Sequence, residues 1–380
     1  MKKTQELIQA FDLEYQDPKI ELSVIKEEQG QGFTAKYSCG TVSLNANNSL
    51  GALYGLHQIQ TAIRSDHLQD FLGENTPRFP LRPLRLSSSM NHTVSPNVSL
   101  SFPEILRTDQ EIDQLCKMVI EFGYNAIILG SQSLIASNND PIDLSRALAC
   151  IKDFGIRLIV QPTLTPIPSL PTSSCCPLNP SFQDWVQRAI TDLFHHLPEI
   201  DAILWKSYCL EPDYFNSEEA RDATSADLVT SEVQLIENLL PEGASLIYHL
   251  PALDLEMAEG QSRWFSMFCD DVGPSTAIAF SSRINEQLLH PFWKTLRQCP
   301  DVSATPLIPM LQMDDDQAQL DQVQEVLARC RRHRFAGVIG QVNQLPEKAD
   351  ALHEKLWVLG QALWRDLPPQ LLAETWAAAY

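Results

Sequence analysis

Along the chain, short apolar runs of period two alternate with longer segments in which apolar residues recur every three or four positions. The first part is small. Residues 20–46 hold three β-like runs, "IELSVIKEE", "GFTAKYSCG" and "TVSLNA", separated by turn-formers. A helical stretch follows from Ser49 to Asp66, with Leu53, Leu56, Ile59 and Ile63 on one face and Ser49 in the position of an N-cap. The proline-punctuated "NTPRFPLRPLR" ends this part near residue 83. Residues 1–83 are therefore expected to form a small α+β N-terminal domain.

From Leu84 onward the alternation is regular. Strands are predicted at 84–90, 125–131, 157–164, 201–208, 245–253, 275–282, 305–313 and 337–343, each followed by a helical segment. Gly123, Gly155 and Pro198 punctuate three of the helix ends just before the next strand. Such an alternation over residues 84–380 fits a (β/α)8 TIM barrel better than a doubly wound sheet, for which eight parallel strands would be many.

Composition narrows the chemistry. A formal net charge of -20 over 380 residues disfavours nucleic acid and anionic membrane surfaces as partners. No apolar run reaches the length of a signal peptide or a membrane span, which gives the expectation of a cytoplasmic protein. The nine cysteines are scattered without a metal-type CxxC, so reduced thiols filling the core are expected rather than disulfides. No GxGxxG or P-loop points to a nucleotide, and the His195–His196 pair lacks metal-ligand spacing, so no cofactor and no metal are expected.

In a barrel of this kind the reacting groups gather at the C-terminal ends of the strands. Those ends offer Asn91 and His92 after the first, Gln161 in the third, and Lys206, Tyr208, Glu211 and Asp213 at the fourth. His249 closes the fifth, Arg283 the sixth, Gln312 and Asp314–Asp316 the seventh, and Gln341 the eighth. Amides, rings, hydroxyls and carboxylates from two distant strands suit a polyhydroxylated ligand. Glycoside hydrolysis needs a carboxylic acid to protonate the leaving oxygen and usually a second carboxylate as base or nucleophile. Glu211 is the candidate acid, and Asp213 and Asp314 are candidate bases. Lys206, Tyr208, His249, Asn91, Gln161, Arg283 and Gln312 are the candidate ligand-binding residues. Simpler readings stand beside these: the aspartate run fits a helix N-terminus equally well, and "CRRHR" fits cations at a helix C-terminus.

Gly51–Gly55 ("GALYG") and the ordered succession "FGYNAIILGSQS", "IKDFGIRLIVQP", "PLNPSFQDWVQRAI", "DAILWKS" and "GQALWRDLPPQLLAETW" resemble the α-glucuronidases. These are glycoside hydrolases that remove glucuronic acid from xylan side chains. The resemblance implies a small α/β domain before a (β/α)8 barrel, Lys206 as a uronate-binding residue and Glu211 as the acid. It also exposes departures. The family's strand-six aspartate falls at Ala279, its strand-seven glutamate at Met310 and its strand-five arginine at His249, and these 380 residues hold no counterpart of its long helical C-terminal domain. Three functions remain open: an oligosaccharide hydrolase, a carbohydrate-binding barrel without turnover, and a barrel enzyme of other chemistry.

Overall fold

Eight of the apolar runs close into one parallel barrel in the computed structural model, which describes residues 5–9, 19–25, 30–86, 90–95, 98–102, 109–129, 144–164, 176–206, 222–250, 269, 271–272, 275–283, 305–312, 320–332, 334–342 and 349–379. Before the barrel come β1 (Lys19–Val24), β2 (Phe33–Ser38), β3 (Thr41–Ala46) and β4 (Gly73–Asn75), a four-stranded sheet of order β1-β3-β2-β4. Helix α1 (Ser49–Arg64) lies against it. Its N-cap is Asn48, whose Oδ1 accepts from Gly51 N at 2.8 Å. Ser49 is thus the first helical residue rather than the cap expected from sequence. Leu53, Leu56 and Ile59 form its buried face, as the spacing predicted.

The barrel strands are β5 (Pro83–Leu86), β8 (Ala126–Leu129), β9 (Arg157–Val160), β11 (Ala202–Lys206), β12 (Ser245–His249), β13 (Ala277–Arg283), β14 (Leu307–Gln312) and β15 (Ile339–Val342). They follow chain order, and β15 pairs with β5 to close the ring. Most are shorter than the apolar runs that announced them, because a run can continue past the last ladder hydrogen bond. The first is the clearest difference. The barrel strand stops at Leu86, and β6 (Met90–Ser95) forms an antiparallel hairpin with β7 (Val98–Phe102), to which the two-residue β10 (Thr163–Leu164) adds.

Helices α3 (Asp109–Glu121), α4 (Leu144–Asp153), α5 (Pro180–His196), α6 (Ser225–Glu237), α7 (Leu320–Arg332), α8 (Ala349–Ala362) and α9 (Pro369–Ala379) complete the chain, the short α2 (Leu68–Phe71) following α1. Local chemistry sets several ends. Asn179 caps α5 ahead of Pro180, and Thr224 and Asp227 form a reciprocal capping box at α6. Gly123 and Gly155 hold φ of +91° and +76° where α3 and α4 turn into the next strand, a backbone state that costs other residues free energy.

One buried cation joins the small domain to the bottom of the barrel. Arg82 is fully buried and donates to the carbonyls of Gly123 (2.8 Å) and Phe79 (2.7 Å) and to Gln31 Oε1 (2.6 Å). Its guanidinium lies over the rings of Trp364 (4.7 Å) and Tyr54 (5.6 Å). Trp364 Nε1 donates to the same Gly123 carbonyl at 3.0 Å, and the Tyr54 hydroxyl donates to Tyr124 O. Nearby, α8 presses its backbone onto the turn after α3: a Cβ at Gly360 would lie 1.8 Å from Phe122 O.

Of the cysteines, Cys116, Cys176, Cys269 and Cys330 are buried as small core residues. Burial pushes the Cys330 thiol up to about 12. No helix among the described residues is long and apolar enough to cross a membrane.

Candidate functional site at the barrel mouth

Alternation along the barrel strands sorts side chains into two populations. Ile127, Leu158, Ile203, Trp205, Tyr248 and Phe280 belong to the large core that joins strands to helices. Ala126, Ile128, Ile159, Ala202, Leu204, Ile247, Ala279, Ile308, Met310 and Ile339 form a separate cluster that fills the barrel. The filling is small and aliphatic, a plug rather than a channel.

Toward the C-terminal end, the inward positions change character. Two residues beyond Ile159, Leu204, Ile247 and Ile339 stand Gln161, Lys206, His249 and Gln341, and Arg85 sits beside Gln341 in register. Arg85, Gln161, His249 and Gln341 are between 3% and 7% exposed, so they belong to the barrel wall and not to the outer surface. Lys206 is exposed. Arg85 Nη1 donates to Gln341 Oε1 at 2.9 Å, its one hydrogen-bond partner among the described residues. Burial pulls the guanidinium down to about 10, so it stays protonated at neutral pH. No described Asp or Glu pairs with it. Gln161 Oε1 is buried without a hydrogen-bond partner, a condition that costs about 1–3 kcal/mol.

The wall and rim thus present a desolvated cation, an exposed ammonium, an imidazole and an orphaned amide oxygen, groups that can attract an anion and accept from a hydroxyl. They do not form a complete acid–base pair, since the eight barrel strands carry no Asp or Glu. The candidate carboxylates Glu211, Asp213 and Asp314 lie outside the described residues, as does Tyr208. Arg283 and Gln312 are strand-end register partners, and Gln312 is in turn paired with Gln341. Asn91 is not at a barrel strand end: it pairs with Ser101 in the β6–β7 hairpin. Ala279 and Met310, where the α-glucuronidase resemblance would put carboxylates, are packed in the aliphatic filling.

Sequence reading points to Lys206, His249 and Gln161 but passes over Arg85. The signal is present: in "LRL" a charged residue directly follows Leu84, which takes the helix-facing parity, so the charge has no side to occupy except the barrel interior. Among the described residues, no group of histidines, cysteines and carboxylates has the arrangement of a metal site.

No protein-family model matches the chain, and no curated protein matches it. Solved structures do match in fold. A GH20 exo-β-N-acetylglucosaminidase from Vibrio harveyi, solved with N-acetylglucosamine, is 12% identical, with a TM-score of 0.57 over 94% of this chain and 67% of that one. A GH138 enzyme targeting pectin rhamnogalacturonan II is 12% identical with a TM-score of 0.61, covering 97% of this chain and 62% of its own. A further family 20 β-N-acetylglucosaminidase is 10% identical with a TM-score of 0.57, covering 99% and 91%. The chain thus spans about two thirds of the first two and most of the third. It shares with them a fold, a barrel carrying an N-terminal sheet domain.

Proposed function

We propose that this chain is a glycoside hydrolase whose cleft is the C-terminal mouth of the barrel and whose ligand is an oligosaccharide bearing an acidic sugar, a uronate. The observation that carries the proposal is Arg85. A guanidinium this deeply buried, with one amide partner and no carboxylate among the described residues, is costly unless a ligand brings the anion. Lys206 and the orphaned Gln161 oxygen supply a second charge and an acceptor for a sugar hydroxyl. Fold likeness to GH20 and GH138 glycosidases is consistent with this reading, and the uronate preference is that of the α-glucuronidases which the sequence resembles.

In the hydrolytic reading Glu211 protonates the leaving oxygen and Asp213 or Asp314 activates water. A second reading is favoured by a specific observation: with Ala279 and Met310 in the filling and no carboxylate on any barrel strand, the strands provide no base. A base contributes ~10²- to 10⁴-fold to rate, so a mouth that binds without one is a carbohydrate-binding barrel with little turnover.

One experiment separates the two. Thermal stabilisation by glucuronic acid, xylose and aldouronic oligosaccharides is measured beside release of uronic acid, on the wild type, Glu211→Gln and Arg85→Met. Release abolished by Glu211→Gln establishes the hydrolase. Stabilisation that Glu211→Gln leaves intact and Arg85→Met removes, with no release in any protein, establishes the binding barrel. Indifference of the wild type to all three ligands overturns both.

A further inference from the structure

Trp205 in β11 and Tyr248 in β12 are register partners, and so are the residues that follow them, Lys206 and His249. Alternation sends the two rings outward to the helices and the two basic groups inward to the mouth. Behind the rings lies α6, and its Glu232 has no exposed surface. One carboxylate oxygen accepts from Trp205 Nε1 at 3.0 Å and the other accepts from the Tyr248 hydroxyl. A single side chain therefore ties two adjacent barrel strands at the very register step before they deliver Lys206 and His249.

Stability alone does not call for a carboxyl group at this place. A buried carboxylate carries a large desolvation cost, and apolar side chains of the same volume commonly hold such an interface as well or better. A bidentate acceptor adds direction: two hydrogen bonds fix the separation of two strands where dispersion contacts would tolerate sliding. Helix α6 is itself fixed at its start by the Thr224–Asp227 capping box, so the carboxylate is presented from an anchored element. The segment that bears Glu211 and Asp213 leads from β11 into this same helix.

We infer that Glu232 is a positioning residue of the mouth: through Trp205 and Tyr248 it sets the spacing of Lys206 and His249, and with it the selection of an acidic over a neutral sugar. The inference rests on the mouth being the ligand site. Its test therefore has one readout that needs no ligand. The ring resonances of His249 and the signal of the carbon-labelled, methylated Lys206 amine are recorded by NMR for wild type, Glu232→Gln and Glu232→Ala. Dissociation constants for glucuronic acid and glucose are measured on the same samples.

Glu232→Gln keeps the volume and one acceptor oxygen. It is expected to fold, to move both mouth signals and to weaken glucuronic acid on the order of ten-fold, with glucose little changed and Glu232→Ala losing more. A fall in melting temperature with both mouth signals and both constants unmoved would overturn the inference and leave Glu232 a structural tie. Should Glu232→Ala not fold, Glu232→Gln decides alone. Movement of the mouth signals in a protein whose wild type binds neither sugar would uphold the positioning role while overturning the sugar reading.

Discussion

Two buried arginines stand three residues apart at the start of the barrel, and they are used in opposite ways. Arg82, below the first barrel strand, directs its donors to two carbonyls and a glutamine and lies over two rings. Arg85, at the upper end of the same strand, donates to one glutamine. Both guanidiniums are pulled down to about 10 chiefly by burial. Desolvation is therefore shared, and compensation is not. Arg82 is mortar between the small domain and the barrel; Arg85 has a single partner among the described residues.

The contrast breaks most sharply at the lower end. Gly360→Ala puts a methyl into the Phe122 carbonyl and should cost more than about 3 kcal/mol, since backbone rather than a mobile side chain must yield. Chemical denaturation measures it, and a loss under about 1 kcal/mol would show that α8 slides freely. Arg82→Met should cost about 3 kcal/mol by stripping two aromatic faces and leaving Phe79 O and Gln31 without this donor.

Protonation sharpens the comparison next. Glu121, in the last turn of α3 on the Arg82 side, is raised from 4.5 to about 7 by burial, with the positive charge of Arg64 opposing. The native state thus holds a proton that the unfolded chain releases between about pH 4.5 and 7. Stability is greatest below that window, falls as pH rises through it and levels off above, by on the order of 3 kcal/mol at most. Melting temperatures across the window check the sign, and Glu121→Gln should flatten the curve. A curve already flat in the wild type would refute the buried proton.

The smallest effect on stability is expected at Arg85. Arg85→Met removes a charge that no described carboxylate compensates and should leave stability unchanged or raise it by about 1 kcal/mol. At the same time it should abolish stabilisation by glucuronic acid. A loss comparable to that of Arg82→Met would make the two arginines equivalent and end the distinction.

Much of the architecture was legible in the chain because period two and period 3.6 are imposed directly by strand and helix geometry. "AILWK" and "SLIYH" announce their strands, and parity alone places Lys206 and His249 inside. What stayed hidden depends on partners distant in sequence. Nothing in "LRL" says that Gln341 will be the neighbour of Arg85, and nothing in "SEVQLIE" distinguishes the buried Glu232 from the exposed Gln234 a short way along the same helix. Asn91 follows the first barrel strand, but the hairpin strand that carries it reads in the sequence as that strand's continuation. Glu211, Asp213 and Asp314 are legible as residue types, but chemistry needs separations that a linear pattern does not carry.

The Arg85–Gln341 bond also bears on how the molecule is made. It crosses the seam between the first and last barrel strands and joins residues 256 positions apart. Contacts of that range form late, after the loop entropy of the intervening chain has been met. During synthesis, Arg85 emerges long before its partner, and the mouth is completed only when the final strand docks. A chain truncated before residue 341 would lack the partner of Arg85 and the strand that closes the ring.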